Sequence, residues 1–85
     1  MEISNLRDEI NKIDGEMLAL FEKRMDVSRK IGEYKKANNI PVTDKEREKV
    51  VIERAKNAVS KENSEFAEEF FKKLIEISKD CQNKI

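Results

Sequence analysis

The sequence predicts an all-α protein of three helices, one of them very long, assembled as a helical homodimer. Three observations carry this expectation. First, Leu6, Ile10, Ile13, Met17, Leu20, Val27, Ile31 and Tyr34 recur at alternating steps of four and three, with Arg24 the one interruption. That is the mark of a long amphipathic helix with a coiled-coil-like seam. Second, the 85 residues include one proline and two glycines, so few positions break a helix. Third, a helix of roughly 33 residues is about 50 Å long, whereas a compact chain of this length has a diameter of roughly 30 Å. The helix overhangs any globule its own chain can build, and its apolar stripe continues along the overhang. A partner is implied, most simply a second copy.

In chain order, the first helix is expected to start near Ile3 to Leu6, with Ser4 or Asn5 as N-cap. It ends around Asn38 and Asn39, because Pro41 forbids continuation. Gly15 and Gly32 lie inside it, each costing about 1 kcal/mol relative to alanine. Gly32, next to Ile31, is placed to make room for a neighbour or ligand; nothing in the sequence explains Gly15. Ile40-Pro41-Val42 is a short connector. Thr43 and Glu46 form a capping-box pattern opening a second helix over about 44–59, with Val51, Ile52, Ala55, Ala58 and Val59 inward. Residues 60–63 form a polar turn. Ser64 is the expected cap of a third helix, with Glu65 and Glu68 complementing its dipole. Its stripe is Ala67, Phe70, Phe71, Leu74, Ile75, Ser78, Cys81 and Gln82. The whole of 1–85 reads as one domain.

Composition narrows the function. There are 18 basic and 18 acidic residues, so no chain-wide nucleic-acid footprint exists, and the basic run Lys23 to Lys36 is interrupted by Asp26 and Glu33. No membrane-length apolar run or signal-peptide pattern is present, and Met1 leads straight into charged, helix-favouring sequence, so the expected location is cytoplasmic. Cys81 is the only cysteine and histidine is absent. A disulfide within the chain, a cysteine metal site, a histidine-ligated metal and a histidine general base are all excluded. Phe66, Phe70 and Phe71 are expected in the core, with Cys81 as a small core hydrophobe.

The informative residues are polar ones on apolar faces. Arg24 and Lys35 are 11 apart, close to three full turns, and so share a face about 16 Å apart along the axis. Asp44, Arg47 and Glu48 share a face of the second helix. Ser78 and Gln82 lie in line with Leu74 and Ile75 on the third. One reading is a buried salt-bridge network, Arg24 with Glu48 for example. The other is a site for a small dianion, because the cations outnumber the acids and arginine grips carboxylates bidentately. Arg7 lies about 25 Å along the axis from Arg24. It cannot join Arg24 at a small ligand within one chain, but in an antiparallel dimer it can reach the partner's site.

These residues, in order, match a known pattern: Leu6-Arg7-Asp8-Glu9-Ile10, Ile13-Asp14, Leu18 to Arg24, Ile31-Gly32, Lys35, Pro41-Val42, Asp44, Arg47-Glu48, Ser78 and Gln82. The chain resembles the small all-helical chorismate mutases of the bacterial AroQ type over nearly its whole length. The resemblance implies an intertwined dimer with two equivalent active sites, each taking Arg7 from the other subunit. It implies that Arg7, Arg24 and Arg47 bracket two substrate carboxylates and that Ser78 adds a contact to one. Lys35 and Gln82 would donate to the ether oxygen, and Glu48 with Asp44 would hold the ring hydroxyl. The implied reaction is the rearrangement of chorismate to prephenate, which needs no cofactor and no metal. The alternatives are an isochorismate pyruvate lyase on the same scaffold and a non-catalytic dimerisation module whose inward charges merely pair. The chain stops three residues after Gln82, so a frayed end to the third helix is expected.

Overall fold

The computed structural model describes residues 2–85. It contains three α-helices, α1 (Ile3–Ala37), α2 (Lys45–Asn57) and α3 (Ser64–Asn83), with a 3₁₀ turn at Lys61–Asn63 leading into the last. The all-α, three-helix expectation holds, and α1 is 35 residues long.

The helix ends show what each local sequence does. α1 opens on Glu2, whose carbonyl accepts from the Asn5 and Leu6 amides at 3.0 and 3.4 Å. The expected caps Ser4 and Asn5 are therefore already inside the helix, and no side chain caps it. At the other end Asn39 adopts φ 55°. The Ile40 amide donates to the Lys35 carbonyl at 2.8 Å and the Asn39 amide to Lys36 at 3.4 Å. This is a Schellman stop with asparagine in the left-handed position. α2 is capped by Asp44, not Thr43: Asp44 Oδ1 accepts from the Arg47 amide at 3.0 Å. Either residue type suits an N-cap, and the carboxylate also answers the helix dipole. α2 stops at Asn57, which leaves Ala58 and Val59 exposed rather than inward. α3 begins at Ser64 itself, preceded by Asn63 with no side-chain cap. Its far end is ordered to Asn83, and the Ile85 carbonyl accepts from Lys36 Nζ at 3.2 Å, so the expected fraying is not seen.

α3 is the central element. It packs on α2 along one side and on the second half of α1 along the other. The face of α1 turned to α3 is the row Phe21, Met25, Ser28, Gly32, one step around from the expected seam. Gly32 explains itself: a Cβ there would lie 2.6 Å from Ile85 Cδ1 and 3.1 Å from Gln82 Cα. The seam itself stays exposed, Leu20 at 63% and Tyr34 at 63%. Phe66, at 68%, and Phe70 are also exposed, contrary to the core expectation. Phe70 meets Phe71 edge-to-face with centroids 5.6 Å apart. Residues 3–20 of α1 are exposed as well, every one of them.

The chain is consequently elongated, 55 × 25 × 15 Å with a radius of gyration of 15.8 Å, against about 12 Å for a compact chain of this length. Its accessible surface is 7072 Å², where a compact monomer of its mass exposes about 5,200 Å². Two interhelical ion pairs join α2 to α3, Lys56–Glu68 at 3.9 Å and Lys79–Glu48 at 3.2 Å. Glu68 also accepts from Lys72, and that hydrogen bond holds its carboxyl below the usual glutamate value. Among the described residues no helix is long and apolar enough to cross a membrane.

Candidate active site

Where the three helices converge, they line an open pocket of about 280 Å³. α1 supplies Arg24, Val27, Ser28, Ile31 and Lys35. α2 and its cap supply Asp44, Arg47, Glu48 and Val51. α3 supplies Ile75, Ser78, Lys79 and Gln82, and Val42 of the connector completes the wall. Seven of the eight residues singled out from the sequence are thus brought together. The eighth, Arg7, stands exposed on the protruding half of α1, outside this cavity.

Each polar wall residue is held by an identifiable cause. Lys35 Nζ donates to the Val42 carbonyl at 2.8 Å, because the Schellman turn folds the connector back beside the last turn of α1. Two of its three N–H bonds remain for a ligand. Asp44 spends one carboxylate oxygen on capping α2, which orients the first turn that carries Arg47 and Glu48. Ser28 is 3% exposed, and its Oγ lies 2.6 Å from Ser78 Oγ. Gln82 Nε2 donates to the two hydroxyls at 3.4 and 3.3 Å. Gln82 Oε1 is buried and accepts nothing. Half a turn of the amide would place Oε1 against hydroxyls able to donate and free Nε2, since that terminal torsion is broadly two-fold.

The Arg24–Glu48 pair that a salt-bridge network would have used is not formed. Arg24 belongs to α1, which packs on α3 rather than α2, so Glu48 turns to Lys79 of α3 instead. Among the described residues Arg24, Lys35 and Arg47 pair with no carboxylate. The wall therefore carries four cations, Arg24, Lys35, Arg47 and Lys79, against two carboxylates, Asp44 and Glu48. Two positive charges are in surplus.

Sequence reasoning missed two wall residues of consequence, Ser28 and Lys79. Ser28 had a signal: it lies between Arg24 and Lys35 on their shared face. Lys79 had none, because a lysine beside Ser78 on a charge-rich helix looks like ordinary solvated surface.

Comparison with known proteins places this arrangement. The chorismate mutase type II family matches residues 6–83, a span that contains every wall residue of the cavity. A bifunctional chorismate mutase/prephenate dehydratase of Buchnera aphidicola is 35% identical over 99% of this chain but only 22% of its own length. The chorismate mutase of Methanocaldococcus jannaschii is 29% identical over 95% of this chain and 84% of its own. The intracellular chorismate mutase of Mycobacterium bovis is 43% identical over 62% of this chain and 50% of its own. The chain thus spans under a quarter of the bifunctional relative and most of the archaeal one. No solved structure gives a significant match. The match across all three helices and the cavity they share establishes that the chain belongs to the chorismate mutase type II family.

Proposed function

We propose that this chain is a chorismate mutase that converts chorismate to prephenate, a step toward phenylalanine and tyrosine, with residues 1–85 acting as one domain in the cytoplasm. The observation that carries the reading is the surplus of two positive charges in a small cavity whose arginines are unpaired. Chorismate is a dicarboxylate, and its two negative charges answer that surplus.

In this reading Arg24 and Arg47 clamp the carboxylates, with a contact from Ser78, and hold the compact conformer in which the reacting carbons approach. The rearrangement breaks a C–O bond and forms a C–C bond within one molecule, so no nucleophile or proton transfer is required. Negative charge develops on the ether oxygen as the C–O bond lengthens. Lys35 and the turned amide of Gln82 donate there, and one such donor is typically worth ~2.7–4 kcal/mol. Glu48, with Asp44, accepts from the ring hydroxyl. Val27, Ile31, Val42, Val51 and Ile75 form the apolar remainder of the wall, where charge interactions are stronger than in water.

The working unit is an intertwined homodimer in which Arg7 of each chain enters the other's site. The surface excess over a compact monomer, roughly 1,800 Å² per chain, is of the size obligate homodimers bury. The exposed seam of α1 supplies an apolar face for it.

The test is to follow chorismate loss with purified protein and identify the product. Prephenate supports the reading, and Arg24→Ala should abolish its formation. Release of pyruvate from isochorismate, with chorismate untouched, would assign a lyase instead. No conversion of either would leave a non-catalytic module.

A further inference from the structure

We propose that Lys79 is a positioning residue for Glu48, holding its carboxylate in the cavity wall and cancelling its charge toward the incoming dianion. The inference rests on the mutase reading for what Glu48 does. It rests on geometry alone for what Lys79 does.

Lys79 Nζ lies 3.2 Å from Glu48 Oε2, and both side chains are about a third exposed. Oε2 itself is buried and accepts no aligned hydrogen bond, so the ion pair is what meets that oxygen. The two residues stand together in a partition. On one side is the cavity with Arg24, Lys35 and Arg47. On the other is an open groove of about 640 Å³ between α2 and α3, which Glu48 and Lys79 also line. A glutamate side chain in such a partition has two directions in which to turn, and water in the groove solvates a carboxylate well. The ammonium from α3 decides the direction.

Charge makes the same point. A bare carboxylate in a wall built for a dicarboxylate repels its ligand. Lys79 is the cation within ion-pair distance of Glu48, and it offsets that repulsion. Arg24 and Arg47 remain free for the ligand.

The test is a double-mutant cycle of Lys79→Met and Glu48→Gln, with Lys79→Arg as the conservative variant. Each protein is assayed for turnover and, by calorimetry, for binding a bicyclic ether dicarboxylate that mimics the rearranging state. Lys79→Met should raise KM and weaken mimic binding roughly tenfold, with kcat within about twofold, a coupling of ordinary size for contacting charges. Lys79→Arg should restore both. In the Glu48→Gln background, Lys79→Met should change either quantity less than about twofold. Equal losses in both backgrounds would mean that Lys79 attracts the dianion directly and would overturn the inference. So would no loss in either, or a fall in thermal stability with both constants unmoved. Should the unaltered protein bind the mimic yet fail to convert chorismate, the mutase reading falls while the binding cycle still decides the role of Lys79.

Discussion

The two halves of α1 belong to one continuous helix and follow one repeat, yet they do different work. From Phe21 onward the helix packs on α3, with Phe21 and Met25 half-buried, Ser28 buried against Ser78, and Gly32 against Gln82 and Ile85. From Ile3 to Leu20 it is exposed on every side and carries an apolar stripe. The contact with α3 carries Ser28, Ser78 and Gln82 of the pocket wall, while the apolar stripe of residues 3–20 has no cover within the chain. The two glycines repeat the contrast. A Cβ on Gly32 would strike α3, whereas one on Gly15 would meet nothing within 4 Å.

The largest effect is expected where the protruding half should meet its partner. Ile13→Lys places an unpaired charge in the proposed interface, which typically costs 3–5 kcal/mol and so weakens dimerisation at least ~100-fold. Sedimentation equilibrium checks it, and an unchanged dimer would break the comparison. Next comes the site half: Lys35→Ala should lower kcat by about 10²–10³ with KM within a few-fold. Equal losses of kcat and affinity would deny Lys35 a role in the rearranging state. Gln82→Glu should show activity that rises as pH falls through the carboxylate range, because only the protonated acid can donate to an ether oxygen. A flat profile would count against that assignment.

The smallest effects come from the glycines. Gly32→Ala should destabilise by about 1–3 kcal/mol from overpacking, partly offset by the ~1 kcal/mol of better helix propensity. It should also lower kcat, since the atoms displaced include Gln82. Gly15→Ala should instead raise thermal stability by up to ~1 kcal/mol. Loss of stability there would show that the partner approaches Gly15 closely, and would sharpen the map of the interface.

Much of this was legible because polar residues inside apolar stripes are conspicuous. Arg24, Lys35, Arg47, Glu48, Ser78 and Gln82 all stood out by breaking a periodic pattern, and all reached one cavity with Asp44. Their individual roles came from the family resemblance, not from spacing. What was not legible depends on three-dimensional choice. Thr43 and Asp44 are both competent caps, and only the backbone path selects the second. The same periodicity that marks a stripe on α1 does not say whether α3 or another chain covers it, so the seam and the α3-facing row were confounded. Phe66 and Phe70 were expected inside for the same reason. Lys79 was invisible because its partner, Glu48, lies 31 positions away on another helix.

The central claim is that each active site is assembled from two chains, with Arg7 crossing between them. The most direct measurement mixes two variants, Arg7→Ala and Arg24→Ala, each expected to be nearly inactive alone. After unfolding and refolding together, half the dimers should be mixed, and each mixed dimer should hold one intact site. Activity should then return to about a quarter of that of the unaltered protein. If the mixture stays as inactive as its components, Arg7 does not complete the partner's site and the account is wrong.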